Sequence, residues 1–319
     1  MTSVSEGRFH SVDVSSITPG PLRATLRTSD GVLVEALHEP CTDRSRRRSG
    51  SGPTAADAGT AIVVAHGFTG SVDRPAVRRA ARVLARRAAV VTFSFRGHGR
   101  SGGHSTVGDR EVLDLAAAVA WARSLGHRRV VTVGFSMGGS VVLRHAALYG
   151  AAFAGRAGER AAADPGDGFD TRGRRARPHG DAAEPWLAPD APAGRTDAVA
   201  AVSAPARWYY RGTAPMRRLH WVVTRPVGRF VGRHGLRTRI HPEDWDPVPL
   251  SPVEAVPLIA PTPLLIVHGD RDPYFPLDHP RTLAAAGPSE LWLEPGMGHA
   301  ENAVGEALLG RLGDWLVRA

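Results

Sequence analysis

Five residues, Gly134-Phe135-Ser136-Met137-Gly138, constrain this chain more than any others. They stand between a β-branched run, Val130–Val133, and a helix-like stretch, Met137–Leu148. G-x-S-x-G in that setting reads as a nucleophile elbow, a strained strand-to-helix turn that lifts a serine hydroxyl above a sheet. Glycines two before and two after the serine let backbones approach closely. Alone the pattern arises by chance. With those flanks it asks for a parallel sheet carrying helices.

The rest of the chain supplies such a sheet. Leu22–Glu39 holds two β-prone runs around Ser29-Asp30-Gly31, which predicts a hairpin. Short apolar strands are expected at Ala61–Ala65, Val90–Phe95, Arg129–Gly134, Ala198–Ser203, Pro263–Val267 and Leu291–Leu293. Helices are expected at Arg74–Arg87, Asp109–Leu125, Met137–Leu148, Pro276–Ala286 and Ala300–Val317. The helix at 109–125 reads as amphipathic, apolar at Val112, Leu115, Ala116, Val119 and Ala120, with Gly126 suited to its C′ position. Strands alternating with helices predict a mostly parallel sheet covered on both faces. Thr42–Gly59 reads as a flexible loop, and Gly150–Asp197, poor in large apolar residues, as a disordered insertion.

A serine hydroxyl is a poor nucleophile at neutral pH and needs a base, which in turn needs an orienting acid. His299 lies on Gly296-Met297-Gly298-His299, between the last strand and the last helix, where an imidazole can reach over the sheet. The acid is expected between serine and histidine in chain order. Asp272, in His268-Gly269-Asp270-Arg271-Asp272-Pro273, is favoured. Asp270 reads as a turn-shaping residue, and Asp244 or Asp246 as outside alternatives. Two oxyanion donors are needed. The backbone N–H of Met137 is one, and that of Phe68, in His66-Gly67-Phe68 after strand 61–65, is the other. His66 reads as a structural loop histidine.

Four ordered blocks make the chain resemble the α/β-hydrolase superfamily. They are HGFTG at 66–70, FSFRGHGRSGG at 93–103, GFSMGG at 134–139, and HGDRDPYFP at 268–276 with GMGH at 296–299. Within that superfamily the chain is similar to the bacterial esterase and lipase-like branch of monoacylglycerol lipases, feruloyl esterases and serine aminopeptidases. The resemblance implies the α/β-hydrolase fold, with Ser136 as nucleophile, Asp272 as acid, His299 as base, and Phe68 and Met137 as oxyanion donors. It implies no cofactor and no metal. Relatives often carry an aspartate where this chain has Ser94, which leaves one local contact to be supplied otherwise. The resemblance also implies a core of residues 1–206 and 258–319, with residues 207–257 as a lid.

Charge sharpens the reading of that lid. The formal net charge is +9, and all 40 basic residues are arginine, a usage expected of a GC-rich coding bias. Between Arg207 and Arg239 lie nine arginines and no acid. The excess therefore sits in the lid, and no nucleic-acid partner is expected. The single cysteine, Cys41, excludes an internal disulfide and a Cys/His zinc pattern. No signal peptide is read in Met1–His10 and no run of about 20 apolar residues marks a transmembrane helix, so a soluble cytoplasmic enzyme is expected. The activity expected is that of a carboxylesterase-like serine hydrolase acting on a small acyl substrate. The same triad also serves C–C bond, amide or peptide hydrolysis and acyl transfer, and the fold also hosts noncatalytic binding proteins.

Overall fold

A computed structural model describes residues 20–43, 59–150 and 192–319. The readings made of Met1–His10, of most of Thr42–Gly59 and of most of Gly150–Asp197 lie outside the described residues. Eight strands form one sheet in the order β1-β2-β4-β3-β5-β6-β7-β8. The strands are β1 Leu22–Arg27, β2 Leu33–Glu39, β3 Thr60–Ala65, β4 Ala89–Phe93, β5 Arg129–Phe135, β6 Val199–Val202, β7 Leu264–Gly269 and β8 Glu290–Glu294. The hairpin β1–β2 is antiparallel and adds to β4 antiparallel, and all later neighbours pair parallel. This is the α/β-hydrolase fold expected from the sequence.

The parallel strands are apolar at nearly every position because helices cover both faces. Ala61, Val63 and Ala65 of β3 enter one core and Ile62 and Val64 the other. Helices α2 (Glu111–Ser124) and α3 (Met137–Leu148) cover the first face, and α1 (Pro75–Leu84) and α9 (Glu306–Arg318) the second. Between them in sequence run α4 (Ala214–Thr224), α5 (Pro226–His234), α6 (Pro252–Ala255), α7 (Asp278–Ala285) and α8 (Ala300–Ala303).

Two local readings change. The expected closing helix 300–317 is two helices, because Gly305 takes an extended conformation (φ −76°, ψ 162°) and caps α9. Helix α2 does not follow the simple amphipathic scheme: Ala116 and Ala120 are only half-buried, whereas Glu111 and Asp114 are fully buried. Both acids are buried because each is satisfied. Glu111 accepts hydrogen bonds from the backbone N–H groups of Thr106, Val107 and Gly108, and Asp114 pairs with Arg96 at 2.8 Å. The stretch 208–256, irregular in sequence, contains helices α4 and α5 and ends in α6, whose Ala255 joins the first core.

The contact left open at Ser94 is supplied by the hairpin. Glu35 of β2 accepts a hydrogen bond from the Ser94 hydroxyl (2.8 Å) and from the Arg100 N–H (2.9 Å). A carboxylate from another strand thus supplies the contact left open there. The same hydroxyl accepts the Val72 N–H at 3.0 Å.

Candidate active site

The elbow places Ser136 between β5 and α3 at φ 51° and ψ −114°, a left-handed conformation that L side chains rarely adopt. Packing enforces it. A Cβ on Gly134 would lie 2.1 Å from the Gly138 carbonyl oxygen, and one on Gly138 would lie 2.3 Å from that of Ala65. Neither backbone could approach with a larger residue. The Ser136 N–H donates to the Val202 carbonyl (2.9 Å), tying the turn to β6.

His299 sits on the loop after β8, at the N-cap of α8. Its Nε2 lies 2.8 Å from Ser136 Oγ and its Nδ1 lies 2.7 Å from Asp272 Oδ2. The ring packs on Tyr274 at 4.3 Å and Phe275 at 5.6 Å between centroids. Asp272 follows β7 and is buried. Its Oδ1 accepts the N–H groups of Tyr274 (2.8 Å) and Phe275 (3.1 Å). Burial pushes the Asp272 carboxyl up, but the His299 hydrogen bond and charge and these two N–H groups outweigh it, and the group lies below its ordinary value. Asp270 instead accepts the Gly296 N–H (2.6 Å) and ties the acid loop to the histidine loop. Asp244 lines the cavity above the serine without bonding to His299. The structure thus brings Ser136, His299 and Asp272 into one hydrogen-bonded chain.

The two expected oxyanion donors border the same space. Met137 is the first residue of α3, and a helix satisfies none of its first N–H groups internally. Phe68 and Met137 both line a cavity of about 320 Å³ that opens on Ser136. His66, two residues before Phe68, is fully buried. Its Nε2 accepts the Phe95 N–H (3.0 Å), so its Nδ1–H donates to the Gly67 carbonyl (2.7 Å). Burial, with the neighbouring His98, pushes its pKa down to about 3, so it stays neutral and serves the loop.

Sequence reasoning passed over Glu301. This buried acid, two residues past His299, accepts the Gly67 N–H at 3.0 Å and so holds the loop that carries Phe68. A Cβ on Gly67 would come within 3.1 Å of both its carboxylate oxygens and 3.4 Å of Ser136 Cβ. Burial pushes the Glu301 carboxyl above its ordinary value against the N–H groups of Glu301 itself and Gly67 and the charge of His299. The only sequence signal was an acid directly behind the candidate base.

The cavity wall comes largely from 207–257, where Trp208 and Tyr209 pack on Trp245 and Tyr210 packs on Phe275. Two isolated bridges, His98–Thr238 and Ser105–Ile240, attach that segment to the loop after β4. Among the described residues no group of three or more His, Cys, Asp or Glu side chains is placed to hold a metal ion. No helix among them is long and apolar enough to cross a membrane.

The alpha/beta hydrolase fold family matches residues 60–304. Among solved structures, the esterase Pf2001 of Pyrococcus furiosus is similar at 19% identity and a TM-score of 0.58, over 93% of this chain and 92% of that one. The esterase domain of a Rhodothermus marinus protein is similar at 18% identity and a TM-score of 0.53, over 93% and 98%. Est1E of Butyrivibrio proteoclasticus, solved with ferulic acid bound, is similar at 17% identity and a TM-score of 0.52, over 93% and 100%. At these identities the likeness is one of fold. No curated protein matches the sequence.

Proposed function

The chain belongs to the alpha/beta hydrolase fold family, and we propose that it is a serine hydrolase that cleaves a carboxylic ester through an acyl-enzyme. The observation that carries this reading is the hydrogen-bonded series from Ser136 Oγ to His299 to Asp272, with the serine at the floor of the cavity. Ser136 Oγ attacks the ester carbonyl carbon while His299 Nε2 takes its proton. Asp272 holds Nδ1–H, fixing the tautomer that leaves Nε2 free to accept. The N–H groups of Phe68 and Met137 receive the oxyanion. The C–O bond then breaks, and His299 gives its proton to the leaving alkoxide. Water attacks the acyl-enzyme, losing its proton to His299, and the proton returns to Ser136 as the acid departs.

Residues 207–257 act as the lid in this scheme, and their aromatic wall favours an apolar acyl or alcohol group. The test is labelling with a fluorophosphonate probe, followed by peptide mapping and turnover of p-nitrophenyl acetate. Label on Ser136, and loss of both label and turnover in Ser136→Ala, are expected. Full turnover by Ser136→Ala would overturn the reading. A matched amide substrate should turn over far more slowly than the ester, and the reverse ranking would move the activity to peptide-bond hydrolysis.

A further inference from the structure

Helix α5 is packed inside out. Its small residues Gly228 and Gly232 are the buried ones. A Cβ on Gly228 would lie 2.5 Å from the Trp221 carbonyl oxygen and 2.6 Å from Val222 Cα, so the helix seats its glycine edge directly on α4. The bulky residues point the other way: Val227 is 63% exposed and Phe230 64%, with Val231 beside them. Trp221 of the neighbouring helix α4 is exposed as well. A helix that served only to fill a core would bury Val227, Phe230 and Val231, which repeat at i, i+3 and i+4. Here the stripe that burial would normally claim faces solvent.

The surround of the stripe is cationic. Arg218, Arg225, Arg233 and Arg237 are exposed on the same two helices and their flanks. Among the described residues, Arg207 alone of the nine arginines between 207 and 239 makes an ion pair, with Asp278. The other side of the hairpin is committed elsewhere: Leu219 and Val223 of α4 line the cavity above Ser136.

We propose that the outer face of the α4–α5 hairpin docks on the anionic surface of a lipid bilayer. Exposed aliphatic and aromatic side chains ringed by arginines have the composition of a helix that lies in a headgroup layer, apolar side down, with its cations on lipid phosphates. Charge complementarity selects this occupant over two others. A second copy related by a two-fold axis would set the same arginines against one another. A nucleic acid would meet the arginines but leave Val227 and Val231 without a stacking partner. Docking goes beyond the hydrolase reading and requires no turnover.

The experiment is co-sedimentation of the full chain, and of Ser136→Ala, with vesicles of phosphatidylcholine alone or mixed with phosphatidylglycerol. Binding to the mixed vesicles, weakened by salt, is expected for both proteins, with little binding to phosphatidylcholine alone. Val227→Ser plus Phe230→Ser should lower the partition coefficient about tenfold or more. Arg218→Gln, Arg225→Gln and Arg233→Gln together should lower it comparably. Both variants should keep the wild-type melting temperature and p-nitrophenyl acetate turnover, since none of these residues borders the cavity. Brominated lipid should quench the fluorescence of wild type more than that of Trp221→Phe. Equal binding to zwitterionic vesicles, or undiminished binding by both folded variants, overturns the proposal. So does a wild-type dimer that Val227→Ser plus Phe230→Ser converts to monomer. Failure of Ser136 labelling with vesicle binding intact would remove the hydrolase reading alone.

Discussion

Replacing Asp272 by asparagine tests the site more sharply than deleting any residue, because the structure dictates how the new amide must sit. Oδ1 of Asp272 accepts two backbone N–H groups, from Tyr274 and Phe275, and the side chain is 1% exposed. An asparagine that keeps its carbonyl there turns its NH₂ toward His299 Nδ1. That nitrogen must then accept, so the ring proton moves to Nε2, which faces Ser136 Oγ at 2.8 Å and can no longer take its proton. The flipped amide would restore the right tautomer but leave two buried donors facing an NH₂, at about 1–3 kcal/mol each. The productive orientation is therefore disfavoured by about 2–6 kcal/mol, or roughly 30-fold to more than 10⁴-fold. A fall in kcat of about 10³–10⁴ is expected, with KM nearly unchanged, matching what this tautomer error costs other triad hydrolases. The assay is p-nitrophenyl acetate kinetics beside a thermal melt. A folded Asp272→Asn protein within tenfold of wild-type kcat would refute the argument, since His299 would then not depend on Asp272 for its tautomer.

Three further outcomes follow from named contacts. Ser136→Gly should abolish turnover yet raise Tm by about 2 °C, because a positive-φ residue of this kind stores about 1–3 kcal/mol and glycine returns part of it in chain entropy; Ser136→Ala, which keeps the Cβ, should show no such rise in a melt. Gly138→Ala should destabilise the protein by about 1–3 kcal/mol and lower kcat about 10²-fold, because its Cβ meets the Ala65 and His66 carbonyls and must displace the elbow; an unchanged urea midpoint would contradict the clash. Glu301→Gln keeps an acceptor for the Gly67 N–H and should retain activity, whereas Glu301→Ala should lose it. Burial raises the Glu301 pKa, so the unfolded chain ionises first, and ionisation opposes folding as pH rises through the ordinary carboxylate range and beyond. The Tm of Glu301→Gln relative to wild type should accordingly be higher at pH about 8 than at pH about 4, and the opposite trend across that range would sink the assignment.

Where a signal was local, the sequence carried it. The strand 130–133, the glycines at 134 and 138 and the helix behind them lie within a few residues, and backbone sterics there depend on little else. Strand–helix alternation likewise announced a doubly covered parallel sheet, because each strand had to be apolar on both faces. The candidates Ser136, Asp272 and His299 could be picked as strand-end residues in chain order. That they lie 2.7 and 2.8 Å apart in sequence-distant pairs is a property of the assembled sheet, which brings the ends of β5, β7 and β8 to one edge, with β6 between β5 and β7. Long-range partners left no mark along the chain. Glu35 standing in beside Ser94, Glu301 reaching Gly67 and Asp114 of α2 buried against Arg96 each join residues whose pairing only the fold creates. The hardest feature to read was α5. Its apolar repeat is that of any amphipathic helix, and a repeat says which residues share a face but not which way the face turns. Contact with α4 decided that, because only the glycine edge could come close enough, and it turned Val227, Phe230 and Val231 outward.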